Sequence, residues 1–192
     1  ESTLETENIT IEVSPVADTP NLTLTDSPVT PEETVADLSS SIAVSPNETD
    51  GSETISLLEV NSIPIGFTLS DGTNSFTATA GSTAADITSW NLATLSLTPP
   101  TDFNGTVTLG VRSQATDSAT VGGVLITDTT DSSDTAAGTT EATGTFDVAF
   151  TPVSEAVTIE DVTVTEGGDL VFTATLDRLA VGFTVDVSIV PL

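Results

Sequence analysis

The sequence predicts an all-β protein built from antiparallel β-sandwich modules. Apolar residues alternate with Thr and Ser over many short stretches, which is the pattern of a strand with one buried face. Gly, Pro, Asn and Asp separate these stretches, and those residues favour turns. Hydrophobic residues make up 37% of the chain. That fraction favours a folded core over a disordered chain, in spite of the high charge.

The alternation predicts strands along the chain and only one short helix. The apolar positions of these strands are, in order, Ile9, Ile11 and Val13; Leu22 and Leu24; Ile42 and Val44; Ile55 and Leu57; Phe67 and Leu69; Phe76 and Ala78; Leu95 and Leu97; Val107, Leu109 and Val111; Val124 and Ile126; and Phe146, Val148 and Phe150. The helix is expected to begin at Asp86 as N-cap and to end near Leu92. Trp90, the single Trp, is expected to fill one end of the core.

Two similar phrases, SPVADTP and TPVSEAV, predict module boundaries in a tandem array. Residues 1–13 are expected to be the terminal strand of a preceding module, and residues 14–153 a full sandwich. Residues 154–192 are expected to be the incomplete start of a following module. A Ser/Thr/Ala/Gly/Asp-rich insertion at 113–143 is expected to form a hairpin or flap, and a solvated loop is favoured there over a binding loop.

The charge of the chain predicts a calcium-dependent, extracellular protein. There are 29 Asp and Glu against 2 Lys and Arg, for a formal charge of -27. Only Arg112 and Arg178 can pair with the carboxylates, so the folded chain repels itself. Bound Ca²⁺, which prefers oxygen ligands, relieves such repulsion.

The same composition excludes several functions. Nucleic acid is not expected as a partner, because phosphate contacts need Lys and Arg. The chain has no His or Cys and no nucleophile motif, so it is not expected to be an enzyme. No run of eighteen apolar residues is present, and membrane insertion is not expected. Regular Thr positions suggest an ice-binding face, but Thr is also a common strand residue on solvent faces.

Oxygen-bearing side chains in the loops are the candidate calcium ligands. They are Asp18, Glu32, Asn47, Asp50, Glu53, Asp71, Asp102, Asn104 and Glu155. Asn47, Asp50 and Glu53 share one acidic loop, where Gly51 allows a tight turn. A single Asp-Gly or Asn-Gly pair is an ordinary turn feature. Taken together, and without basic partners, these loops predict at least one calcium site.

Several phrases carry a resemblance to a known family. They are Asp50-Gly51-Ser52-Glu53, Ile63-Pro64 with Gly66 and Leu69-Ser70, and Leu97 through Pro100 with Asp102 and Gly105. Residues 14–153 thereby resemble the cadherin-like or immunoglobulin-like repeats of giant RTX-type biofilm adhesins from Gram-negative bacteria. The tail is similar to the opening of Calx-beta-type repeats. The chain departs from the family in its junction phrases, which lack Asn-Asp-Ala-Pro, and in the insertion at 113–143.

The resemblance implies a spacer function at the bacterial cell surface. In such families calcium at the module junctions stiffens the array, and the modules hold an adhesive tip away from the cell for surface attachment and biofilm formation. By this resemblance Asp18, Glu32, Asp50 and Glu53 are the implied ligands. The implied partners of this monomeric segment are neighbouring modules of the same chain, while other domains contact surface glycans or host and abiotic surfaces.

A ligand-binding module of the same kind of adhesin is the alternative. It would bind a carbohydrate or a cell-surface group with the help of calcium. Asp128, Asp131 and Asp134 of the insertion are the residues that could order around a cation and build such a site.

Overall fold

The computed structural model describes residues 7, 9–129, 141–154, 157–159 and 174–176. The chain divides into two compact units, Glu1–Pro152 and Val153–Leu192. The strands in chain order are β1 (Asn21–Leu24), β2 (Thr30–Pro31), β3 (Ala36–Asp37), β4 (Ile42–Ser45), β5 (Glu53–Asn61), β6 (Thr68–Ser70), β7 (Ser75–Thr77), β8 (Ala85–Asp86), β9 (Ser96–Thr98), β10 (Gly105–Val121), β11 (Val124–Thr129), β12 (Ala142–Thr151), β13 (Val157–Ile159) and β14 (Ala174–Leu176).

The first unit contains two main sheets. One has six strands, in the order β2-β12-β10-β5-β8 with β11 paired to β10, and the other has four strands, in the order β3-β9-β6-β7. Strands β1 and β4 form a separate pair. The pairs are antiparallel except for β2 and β12, which are parallel. The prediction of an all-β, antiparallel architecture is therefore confirmed.

The core lies under β10, the central strand of the larger sheet. Val107, Leu109 and Val111 of β10 alternate with outward residues and are nearly inaccessible to solvent. Leu69 and Leu97 of the smaller sheet belong to the same buried cluster. Burial of each such side chain contributes about 1.5–3 kcal/mol before the entropy cost of folding is counted. Hydrophobic burial therefore holds the two sheets together.

The segment that leads into β1 and the segment that follows β12 lie at opposite ends of the larger sheet. Strand β10 is 17 residues long. Its residue Asp117 pairs with Glu53 at the start of β5, and its first residue, Gly105, pairs with Phe150 near the end of β12. At a rise of about 3.3 Å per residue, these two positions lie about 40 Å apart. We call residues 12–20 the linker, the end at Glu53 and Asp117 the linker end, and the end at Gly105 and Phe150 the distal end.

Residues 9–13 form no strand within this chain and are exposed; their pairing within a preceding module stays a prediction. The helix expected from Asp86 is absent, so that prediction is wrong. Asp86 pairs with Glu59 as the end of β8, and its Oδ1 accepts hydrogen bonds from the N–H and Oγ1 of Thr88. A single turn follows, in which the N–H of Trp90 donates to Ile87 O at 3.0 Å, and it does not continue as a helix.

A short 3-10 helix, Leu92–Thr94, occurs a few residues later. Asn91 is its N-cap, and Asn91 Oδ1 accepts a hydrogen bond from the N–H of Ala93 at 3.2 Å. Trp90 packs against the core but is only partly buried. In the part of the chain that the structure describes, no helix is long and apolar enough to cross a membrane.

The described part of the 113–143 insertion includes a regular hairpin, which confirms that part of the prediction, and Val124 and Leu125 near its tip are exposed. Strand β10 continues through it to Val121 and pairs with β11 in register from Thr116 to Val121. Gly122 and Gly123 join the two strands with φ of 58° and 82°. A two-residue turn with both φ positive matches the twist of paired strands, and glycine adopts it without strain.

In the second unit the described residues include the antiparallel pair β13–β14. The predicted Calx-beta-like module in residues 154–192 falls largely outside the described residues and stays a prediction.

Candidate metal centre

Two inward-facing carboxylates cap the core at the linker end. Glu53 is 4% exposed and Asp117 is 7% exposed, and the two residues are direct cross-strand partners in β5 and β10. Like charges in such positions destabilise a sheet. Among the described residues Arg112 is the one basic side chain, and it pairs with Glu59 and Glu141 instead. The charges at the linker end are therefore not balanced by a cation from the described part of the chain.

A β-bulge turns Glu53 toward the interior. The register of β5 against β10 shifts between Gln114 and Ala115, where Leu57 and Ile55 are the successive partners. This shift leaves Ser56 as the extra residue. Without it, strict alternation from Leu58 would place Glu53 on the outer face, because one residue of slip exchanges the two faces of a strand. Bulges commonly re-aim a side chain in this way.

Backbone N–H groups occupy both oxygens of Glu53. Oε1 accepts from the N–H of Asp18 at 2.7 Å. Oε2 accepts from the N–H of Asn47 at 2.9 Å and from that of Glu48 at 3.2 Å. These charge-assisted bonds are strong, and they offset much of the cost of burying the carboxylate. Glu53 thus ties the linker and the β4–β5 loop to the start of β5.

Asp117 and Asp128 accept hydrogen bonds from the two linker residues that precede Asp18. The N–H of Val16 donates to Asp117 Oδ2 at 3.1 Å, and the N–H of Ala17 donates to Asp128 Oδ2 at 2.9 Å. The N–H of Ser118 donates to the other oxygen of Asp117 at 2.7 Å. The predicted insertion therefore contributes two of the carboxylates at this end.

A groove of about 450 Å³ opens beside these residues. Its lining consists of Val13, Ser14, Pro15, Val16, Glu48, Asp50, Ser52, Asp117 and Ala119. Repulsion from Asp50, followed by desolvation and by repulsion from Asp117, Asp18 and Glu53, raises the pKa of Glu48. Hydrogen bonds from the backbone N–H and the hydroxyl of Ser52 lower the pKa of Asp50. The groove thus holds concentrated negative charge.

The chemistry of this donor set suits calcium, but the ligands are not assembled. Glu48 and Asp50 are exposed, and the Glu48 carboxylate has no hydrogen-bond or ion-pair partner among the described residues. Oxygen-only donors with several carboxylates are what Ca²⁺ selects. Even so, no three carboxylates in the described ranges are arranged to hold one metal ion.

Other predicted ligands lie away from this cluster. Glu32 is buried at the distal end, where its N–H donates to Thr151 O at 2.8 Å and its Oε2 accepts from Asn104 Nδ2 at 3.1 Å. Asp102, two residues before Asn104 in the sequence, is exposed and has a φ of 59°. Glu32 therefore does not share a site with Asp18, Asp50 and Glu53. Glu155 lies outside the described residues.

Asp71 is a structural carboxylate. Its Oδ1 accepts from the N–H groups of Thr73 and Asn74 at 2.8 and 2.6 Å. Its Oδ2 accepts from Asn74 Nδ2 at 3.0 Å and from the N–H of Asn91 at 2.9 Å. The backbone hydrogen bonds from Asn74 and Asn91 hold the pKa of Asp71 far below its usual range. Asp71 closes the β6–β7 turn and fastens it to the 3-10 helix.

Sequence reasoning missed Glu48 as a candidate ligand, and it missed Asp117 and Asp128 as residues that bind the linker. A signal for Asp117 was present in the sequence. It lies in the same alternation phase as the inward residues of β10, including Val111, Ser113 and Ala115, so it marks an acidic residue at a core position. Asp128 carried no such signal, because only the hairpin pairing with Asp117 brings it to the linker.

Comparison of the chain with protein-family models, with characterised proteins and with solved structures finds no match. The geometry of the linker end and the physical chemistry of its carboxylates are therefore the basis of the functional argument.

Proposed function

We propose that this chain is a calcium-stiffened spacer segment of a large extracellular bacterial surface adhesin. One observation carries the proposal: the chain passes along the linker end at Asp18 and leaves β12 at Thr151, at the distal end about 40 Å away. A module with this path adds length when it is repeated in a chain. The resemblance of residues 14–153 to cadherin-like adhesin repeats supports the same function.

Calcium is proposed to bind at the linker end. Glu48, Asp50 and Asp18 would supply its oxygen ligands. The buried carboxylates of Glu53 and Asp117 would add negative charge on the core side of the ion. The raised pKa of Glu48 supports this assignment, because it reports repulsion that a divalent cation would remove. Asp18 belongs to the linker, so an ion held jointly by Asp18 and Asp50 would restrict the movement of the linker.

The affinity required for this function is modest. Extracellular calcium modules bind with a Kd of about 10⁻⁴ to 10⁻³ M. At about 100 times Kd, one site adds about 2.7 kcal/mol to the free energy of unfolding, which is a large part of the net stability of a small domain. Calcium outside the cell would then restrict the movement that the linker retains, and the low calcium inside it would leave that movement unrestricted.

The test is calorimetric titration of calcium into the chelator-treated chain, with thermal unfolding in chelator and in ~10 mM calcium. We expect saturable binding and a rise of several degrees in the midpoint. The double variant Glu48→Gln/Asp50→Asn should lose the binding and most of the rise. Asp147→Asn is the matched control, since it removes an exposed carboxylate on β12 far from the groove.

Two results would contradict the calcium proposal. One is the absence of saturable calcium binding by the parent chain. The other is equal binding by the parent and by Glu48→Gln/Asp50→Asn, which would place the ion elsewhere. The spacer proposal has a separate test: chelation should leave the chain more compact or more variable in small-angle scattering, and an unchanged maximum dimension would contradict stiffening.

The alternative of a ligand-binding module gains no specific support from the described residues. Asp128, the described member of its acidic triplet, accepts a hydrogen bond from the linker. Asp131 and Asp134 lie outside the described residues.

A further inference from the structure

We propose that the β10–β11 hairpin is a latch that fixes the direction of the linker, and that the latch holds without a metal ion. This inference goes beyond the proposed calcium function. It assigns a function to the hairpin of the 113–143 insertion, because the latch residues Asp117 and Asp128 both lie on that hairpin.

The main evidence is that three consecutive backbone N–H groups donate hydrogen bonds to carboxylates on three different strands. Val16 donates to Asp117 of β10, Ala17 to Asp128 of β11, and Asp18 to Glu53 of β5, over 2.7–3.1 Å. Carboxylates accept such hydrogen bonds with roughly twice the strength of neutral acceptors. Three of them along one short segment fix both its position and its direction.

The hairpin can reach the linker because it projects past the rest of the sheet. Strand β5 begins at Glu53, opposite Asp117, whereas β10 continues to Val121. The linker runs beside this projecting part: Glu12 Oε1 lies 3.2 Å from the position that a Cβ on Gly122 would occupy. Contact between the hairpin and the linker therefore extends from Ala17 back to Glu12.

The latch uses no bridging cation, since its three hydrogen bonds join carboxylate oxygens directly to backbone N–H groups. Calcium at Glu48 and Asp50 would act on the same segment through separate oxygens. The latch and the ion can therefore be separated by experiment. The chain has no cysteine, so two spin labels can be introduced without removing any native thiol.

The test measures the distance between labels at Ile11→Cys and Thr77→Cys in chelator, by double electron–electron resonance. Both positions are exposed, one before the linker and one on β7. We expect a narrow distance distribution in the otherwise unchanged chain. Asp128→Ala should broaden it about twofold, because the linker gains local freedom. Ala17→Pro should do the same, since it deletes the donor without changing any charge. Asp147→Asn, which removes a carboxylate outside the latch, should leave it narrow.

The latch is overturned if Asp128→Ala and Ala17→Pro both keep the parent's narrow distribution in chelator. It is also overturned if the parent is broad in chelator and narrows only with calcium, a result that would support the proposed function alone. A narrow parent distribution combined with no calcium binding would retain the latch and refute the calcium proposal. Far-ultraviolet circular dichroism of each variant checks that the sandwich is folded.

Discussion

Asp71, Glu53 and Asp50 are all loop or strand-start carboxylates, but their hydrogen bonds give them different roles. Asp71 and Glu53 are buried and saturated by backbone donors. Asp50 is exposed, and the bonds from Ser52 go to one of its oxygens. A carboxylate whose oxygens are already used closes a turn, whereas one with free lone pairs can bind an ion. Residue type alone does not distinguish the two.

Asp71→Asn should destabilise the first unit and lower the midpoint of thermal unfolding by several degrees. The amide nitrogen that replaces Oδ2 would face the donors of Asn74 and Asn91, and buried donors without an acceptor are costly. Asp37→Asn is the matched control. Asp37 is exposed, and its Oδ1 accepts a hydrogen bond from the N–H of Ser39 at 2.8 Å, which Asn can preserve. An equal midpoint for the two variants would contradict the structural role of Asp71.

The same carboxylate gives the stability a defined pH dependence. Hydrogen bonding lowers the pKa of Asp71 in the folded chain below its ordinary value of 3.8. The stability it contributes is therefore fully present above that value and is lost as pH falls through the lower, folded-state pKa. Acid unfolding below pH 3.8 should be shallower in Asp71→Asn than in the parent, as followed by circular dichroism.

Strand β10 organises the first unit because it pairs with β5, β11 and β12. Arg112 lies on its outer face between two acidic neighbours. Its guanidinium contacts Glu141 at 3.0 Å and Glu59 at 3.4 Å, and Gln114 Nε2 also donates to Glu141. One cation thus links β5 and the residue before β12 across the central strand.

Arg112→Gln should reduce the free energy of unfolding by about 1 kcal/mol, the upper range for partly exposed ion pairs. Part of that loss comes from leaving Glu59 and Glu141 without a cation, so Arg112→Gln/Glu141→Gln should recover some of it. Urea unfolding of the two single variants and the double variant gives the coupling. Strict additivity would show that the pair contributes nothing through charge.

Most of the strands were predictable because strands with one buried face leave a period of two in the sequence. The alternation at Leu22–Leu24, Val107–Val111 and Phe146–Phe150 corresponds to β1, β10 and β12. The same pattern gives no strand at residues 9–13 in this chain, because alternation leads to a strand only where a partner strand is available. The bulge at Ser56 was not predictable either, because its position depends on the register between two distant segments.

The candidate site was predictable only in part for the same reason. The acidic loop from Asn47 to Glu53 is visible in the sequence, and so is Asp18. Asp117 and Asp128 reach that loop through strand pairing over more than sixty residues, and no local pattern reports such a distance. The separation of Glu32 from the cluster likewise follows from the strand topology.

Charge repulsion acts on the molecule as a whole, and the formal charge of -27 makes it a large term. Screening and site binding are two different ways to reduce it. Screening depends on ionic strength, with a Debye length of about 30 Å at 0.01 M and about 10 Å at 0.1 M. Site binding depends on the identity of the cation, because it requires dehydration and direct oxygen ligands.

Raising the salt concentration from ~0.01 M to ~0.5 M should therefore raise the unfolding midpoint by several degrees, and NaCl and choline chloride should act alike. Choline is too large to enter a carboxylate site, so its effect reports screening alone. Calcium chloride at matched ionic strength should give a further rise, which Glu48→Gln/Asp50→Asn abolishes while its response to choline chloride persists. If choline chloride does not change the unfolding midpoint, long-range repulsion does not limit stability. If calcium chloride gives no rise beyond that of the matched salt, its stabilising effect comes from screening alone, and the linker end binds no specific ion.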